Sequence, residues 1–202
     1  MGEKLFTADE AWIGGFHELA LEVGPRSDDR LRAALEALWS HPDLDGCYLD
    51  RGREPSDQPR KQPCLESGSH LLGVAQLPNG SRVACGSCLI REVNDGPDWL
   101  DFYLPRGSLW TAFPFKTEAE EADWEFEVDD WLAEVGLWIA RSASFRLGLI
   151  GVEVSGQAYA ADIAIQGIPA NRFVGYLWPS GESVAYHRRT QVLDSSGVWK
   201  DQ

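Results

Sequence analysis

The chain has 202 residues, 44% of them hydrophobic, including nine Trp and eight Phe. That apolar mass can bury a sizeable core and excludes a disordered chain. Acidic residues number 32 against 18 basic ones, a formal net charge of −14, and such a field repels phosphate-rich polymers and anionic lipid surfaces, so neither nucleic acid nor membrane is expected as a partner.

No apolar run reaches the roughly eighteen residues that mark a membrane span. The first residues carry Glu3, Asp9 and Glu10 where a secretory signal would have a basic and then an apolar block. The expectation is a folded cytoplasmic protein forming one α+β domain over 1–202, with its oligomeric state left open.

The first element is a strand, because His17, Leu19, Leu21 and Val23 alternate with Phe16, Glu18, Ala20 and Glu22 at the period of an extended chain. Gly24-Pro25 ends it. Ser27 then precedes Asp28 and Asp29, and Leu31, Ala34, Leu35, Leu38 and Trp39 recur at helical spacing, which predicts a helix from Asp28 to Trp39. A strand from Gly46 to Asp50 follows. Arg51 to Ser69 is a polar connection expected to be a mobile loop.

His70–Leu77 and Arg82–Val93 are joined by Pro78-Asn79-Gly80, a turn signal between apolar runs and therefore a hairpin. A second turn at Asn94-Asp95-Gly96-Pro97 leads to a strand from Trp99 to Leu104. Pro105 to Phe115 reads as irregular and aromatic. In Trp124 to Val128 apolar and acidic residues alternate, predicting a strand, with Asp129 and Asp130 opening a helix that carries Trp131, Val135 and Trp138. The same aromatic and aliphatic positions also fit one longer helix, since Trp124, Val128, Trp131, Val135 and Trp138 fall at steps of four and three.

Phe145–Ser155 predicts a central strand covered on both faces. Gln157–Gln166, Arg172–Trp178 and Ser183–Val192 read as further strands. The sum is an α+β fold: a mostly antiparallel, mixed sheet of about nine strands with two helices packed on one side. The order strand, acidic pair, helix ending in Leu-Trp occurs twice and suggests a β-α-β pseudo-repeat, although helix physics favours acidic starts in any case.

Cys85-Gly-Ser-Cys88 has the spacing of a zinc knuckle or a redox pair. A structural zinc wants four ligands, which only Cys47, Cys64 or His70 could complete, and a redox pair is normally placed at a helix start. The four cysteines are expected to be reduced core thiols, with no metal and no cofactor. His17 beside Glu18, His70 and His187 are candidate general bases. Glu153, in the apolar run Gly151–Gly156, is the candidate acid, because burial would raise its pKa; such residues also serve as ordinary structural partners or face solvent at strand edges.

From Glu118 to Asp130 lie eight acidic residues and no basic one: Glu118, Glu120, Glu121, Asp123, Glu125, Glu127, Asp129 and Asp130. The run adjoins Trp110, Phe113 and Phe115. One reading is a solvated face; the sharper one is a docking surface for a basic protein, formed by Glu118, Glu120, Glu121 and Asp123 with Trp110, Phe113 and Phe115 as anchors. The expected function is an acidic, non-enzymatic binding module that sequesters or inhibits a basic partner, comparable in composition alone to bacterial immunity proteins against basic nuclease toxins. The alternative is a small-molecule enzyme or ligand-binding domain using Glu153 and a histidine.

Overall fold

The computed structural model describes residues 4–65, 70–93, 95–114 and 118–191, with the backbone alone for 118–122. Eight strands are described: β1 (Phe16–Pro25), β2 (Leu44–Tyr48), β3 (Leu71–Gln76), β4 (Arg82–Arg91), β5 (Pro97–Pro105), β6 (Leu147–Val152), β7 (Gly175–Ser180) and β8 (Ser183–His187). They form one sheet in the order β2-β3-β4-β5-β1-β6-β7-β8, and every neighbouring pair is antiparallel. Four helices accompany it: α1 (Asp28–Trp39), α2 (Arg106–Ala112), α3 (Glu118–Ile139) and α4 (Ala160–Gln166).

The first strand to be made lies in the middle. Leu19 of β1 stands opposite Phe102 of β5 on one side and Ile150 of β6 on the other. Alternation divides its side chains between the two faces. Leu19, Leu21 and Val23 join Phe102, Leu104 and Ile150 beneath α1 and α3, where Leu31, Leu35 and Leu38 of α1 meet Val128, Trp131, Leu132, Val135 and Ile139 of α3. Ser27 caps α1 by accepting from Arg30 N at 3.4 Å, and Asp28 and Asp29 face the positive end of its dipole. At Gly136 the helix comes so close to the sheet that an added Cβ would stand 2.2 Å from Leu177 Cδ1.

The opposite face is covered in two separate places. Ala160 and Ile163 of α4 pack on Ala20, Leu147, Leu149, Tyr176 and Trp99, while Phe6 and Trp12 of the N-terminal segment cover Tyr48, Leu72, Val74 and Ala84. That segment is tied down by Glu54, whose carboxylate accepts from Leu5 N, Phe6 N and Thr7 N at 2.9 to 3.2 Å. Glu54 belongs to the polar connection read as a loop, of which 66–69 lie outside the described residues.

The structure corrects the sequence reading in five respects. The described sheet has eight strands rather than nine, and the described residues form four α-helices rather than two. Trp124 to Val128 is the early part of α3, so the longer helix holds and the proposed repeat has no strand at that position. Gln157–Gln166 contains α4, because Ala160 and Ile163 fall at helical spacing on the covered side while Ile165 is 84% exposed. The irregular aromatic segment contains α2. Last, α4 lies on the face opposite α1 and α3, so the helices do not share one side.

Phe145–Ser155 contains β6, which lies inside the sheet between β1 and β7. Trp131 is 3% exposed and touches Phe102, with ring centroids 6.1 Å apart, whereas Trp138 is half-buried and donates through Nε1 to Ala37 O at 3.2 Å. Replacing Trp131 by Ala should therefore cost about 3–5 kcal/mol in urea unfolding; a loss below about 1 kcal/mol would remove Trp131 from the core.

Candidate functional site

The acidic run is divided by the helix that carries it. Glu125 and Asp129, one turn apart on α3, are 5% and 0% exposed. They face Arg189, which follows β8 and is itself 3% exposed. Arg189 Nη1 lies 3.0 Å from Glu125 Oε2, and Arg189 Nε lies 2.6 Å from Asp129 Oδ2. The second contact is out of line for a hydrogen bond and acts as a direct ionic contact. Asp129 Oδ1 is 2.6 Å from Nε2 of the fully buried His17, and Arg106 Nη2 donates to Glu125 Oε1 at 3.0 Å.

The network thus joins β1, α2, α3 and the segment after β8. His17, a candidate base, is committed to holding the helix layer on the sheet. Phe126, between the two buried acids, lies under the guanidinium groups of Arg188 and Arg189 at 4.6 and 4.7 Å, a cation–π arrangement. Asp130 pairs with Arg188 at 2.9 Å.

Asp123 and Glu127 are different. Both are exposed, they are one turn apart, and neither forms an ion pair among the described residues. With Ala112, Phe113, Pro114 and Trp124 they line an open hollow of about 370 Å³. Its floor is a stacked pair, Phe113 on Trp124, with centroids 5.7 Å apart and planes 15° apart. Trp110 is half-buried: Arg106 lies over its ring at 5.6 Å, and the ring crosses Gly14 so closely that a Cβ there would be 2.3 Å from it. Glu118, Glu120 and Glu121 lie in the helix, their side chains undescribed, and Phe115 lies outside the described residues.

The other sequence candidates are dispersed. Cys85 points into the helix-side core and Cys88 to the opposite face, so the strand turns the two thiols apart. Burial pushes Cys88 up to about 12 and Cys85 well above the usual thiol range, which keeps both as thiols. Among the described residues no three His, Cys, Asp or Glu are gathered closely enough to hold a metal ion. Glu153 lies just past β6, exposed and with φ 49, so the expectation of a buried acid inside a strand is corrected. His17 is on the other face of the sheet, and His187 is on β8, beyond β6 and β7; neither meets Glu153.

Glu153 has acidic company of another kind. On the face away from α3, between the two covered places, are Glu18 of β1, Asp101 of β5 and Cys88 of β4, with Cys88 directly opposite Asp101. Burial pushes Glu18 up to about 7, helped by repulsion from Asp101 and Glu153 and opposed by backbone N–H groups of Ser155 and Val154. Burial likewise pushes Asp101 up to about 6 against a bond from the Ser155 side chain. The sequence reading named Glu18 only as a neighbour of His17 and passed over Asp101. Alternation places Glu18 on this face, but no local signal shows that Asp101 and Ser155 close around it.

A second cavity, about 400 Å³, lies between the N-terminal segment, the β3–β4 turn and α2. Leu5, Ala8, Ala11, Val83 and Ala112 make up much of its wall, with Glu10 and Arg82 at the edge, and no set of reactive groups converges in it. Among the described residues no helix is long and apolar enough to cross a membrane. No protein-family model, curated protein or solved structure matches the chain.

The raised carboxyls carry a stability consequence. Glu18 and Asp101 hold protons more tightly folded than unfolded, where their values are 4.5 and 3.8. Their contribution is therefore fully present below about pH 4 and is lost as pH rises through about 6 to 7. Glu18→Gln should flatten that fall and be the more stable chain at about pH 8 by on the order of 2 kcal/mol. Urea unfolding of both chains across this window provides the check, and parallel pH curves would contradict the assignment.

Proposed function

We propose that this chain is an acidic protein-binding module that sequesters or inhibits a basic protein partner, docking it along the outward side of α3's first turns. The observation that carries the reading is the pair Asp123 and Glu127 beside the hollow floored by Phe113 and Trp124. The inward acids of the same helix are matched by arginines, whereas this pair meets no cation among the described residues. On that side of the helix the described residues supply no countercharge.

The division of labour follows from the physics of encounter. Exposed carboxylates act over distance and raise association rates. A hollow with an aromatic floor and two carboxylates at its rim suits a long basic side chain, whose stem covers the ring while its charged end reaches an acid. Phe113 is the anchor in this scheme. Glu118, Glu120 and Glu121 precede Asp123 in α3 and add to the acidic run.

The test couples capture to kinetics. The immobilised chain is offered native lysate at low salt, and association with the retained protein is then followed at several salt concentrations. The retained protein should be basic; Asp123→Asn with Glu127→Gln should slow association by about tenfold and flatten its salt dependence. Phe113→Ala should mainly speed dissociation. An acidic partner, or rates that ignore both salt and the paired substitution, would overturn the reading.

A further inference from the structure

Three buried acids of the described residues are matched by cations, and a fourth, Asp98, accepts from Ser27 N at 2.9 Å. Glu22, 2% exposed, lies 3.3 Å from Arg146 Nη1 and accepts from Ala160 N at 2.6 Å. Glu125 and Asp129 share Arg189. In the middle of the other face the buried Asp101, the half-buried Glu18 and the exposed Glu153 form no ion pair among the described residues.

The unmet valence is specific to one atom. Asp101 is 4% exposed, and although Ser155 bonds its carboxyl group, Oδ1 is buried without a hydrogen-bond partner among the described residues. A buried acceptor left unpaired is destabilising. On the same face Glu18 lies diagonally across the β1–β5 pair: Glu18 is opposite Tyr103 and Ala20 is opposite Asp101.

The rim is held under strain. Glu153 is a non-glycine residue at φ 49, a conformation that side chains rarely adopt. Its N–H donates to Phe16 O at 3.1 Å. Its carboxylate lies where a Cβ on Gly15 would be, 2.5 Å from Oε1, so the bare backbone at Gly15 makes room for it.

We propose that Glu18, Asp101 and Glu153 form a binding site for an organic cation bearing N–H donors, an alkylammonium or a guanidinium group. The acids are not gathered into the tight shell that a metal needs, and a bare ion requires oxygens converging on one point. An ammonium or guanidinium spreads three or five donors in space, which suits acids set apart on neighbouring strands and a loop. Bound there, it supplies the missing partner and replaces acid–acid repulsion by charge-assisted hydrogen bonds. Burial holds neighbouring Cys88 and Tyr103 above their usual ranges, so both stay neutral, and His70 is engaged through Nδ1 with Tyr103 OH at 2.9 Å. The site is on the sheet face opposite α3 and does not rest on the docking reading.

The cation can be free or be a side chain of a peptide, and the experiment separates the two. Carboxyl carbons of Glu18 and Asp101 are followed by NMR during pH titration with butylguanidinium, butylammonium, tetramethylammonium, or a capped Gly-Arg-Gly peptide. Butylguanidinium or butylammonium at saturation should lower both midpoints by about one pH unit or more, while tetramethylammonium, which has charge but no donor, should not. A peptide that matches the free guanidinium identifies a side-chain ligand; a peptide excluded while the free cation binds identifies a small molecule. Asp101→Asn and, separately, the exposed Glu153→Gln should weaken binding by about tenfold, and Glu36→Gln, at an exposed position of α1, should leave it unchanged. The proposal fails if no cation moves the midpoints, if tetramethylammonium moves them equally, or if Glu36→Gln weakens binding as much as Asp101→Asn.

Discussion

Arg189 is the residue on which the arrangement of α3 depends. A guanidinium 3% exposed must be paired, because an isolated buried charge costs several kcal/mol. Its partners are Glu125 and Asp129, one turn apart on α3. His17 takes the other oxygen of Asp129 and fixes the same turn to the central strand, and Arg106 takes the other oxygen of Glu125. The rotation of α3 about its axis is set by these contacts together with the apolar line Trp124, Val128, Trp131 and Val135 on the neighbouring strip. Once Glu125 and Asp129 face inward, helix geometry turns Asp123 and Glu127 outward. The exposed acidic pair is therefore a consequence of the buried one.

The same constraint explains what could and could not be read from the sequence. α1 was legible because its signals are local: Ser27 before Asp28 and Asp29, and a regular apolar line. β7 and β8 overlap the runs Arg172–Trp178 and Ser183–Val192 read as strands. The start of α3 was ambiguous because Trp124, Phe126 and Val128 alternate like a strand while Trp124 and Val128 also stand one helical turn apart. What decides it is Phe126, which faces Arg188 and Arg189 and not the apolar core. Those arginines are far along the chain, where no local pattern reports them. Eight acids in one run likewise look like one surface until the arginines that neutralise some of them are in place.

The two faces of the sheet treat charge in opposite ways. Under α3, acids and arginines are buried together and act as fasteners. On the other face the half-buried Glu18 and the buried Asp101 meet mainly one another, Glu153 and Ser155, and burial raises the pKa of both. Strand alternation makes this separation possible, since His17 and Glu18 are adjacent in sequence yet belong to different chemistries. Glu153 was singled out from its apolar surroundings; its significance comes from a left-handed backbone and a glycine opposite it, features visible only in three dimensions.

The division of the acidic run into inward and outward residues is tested most directly by carboxyl footprinting. The folded chain is treated with a carbodiimide and a small amine, and each carboxylate's labelling rate is read by mass spectrometry. Fast labelling of Asp123 and Glu127, with Glu125 and Asp129 protected until the chain unfolds, is the predicted result. Equal labelling of all four in the folded chain would contradict it.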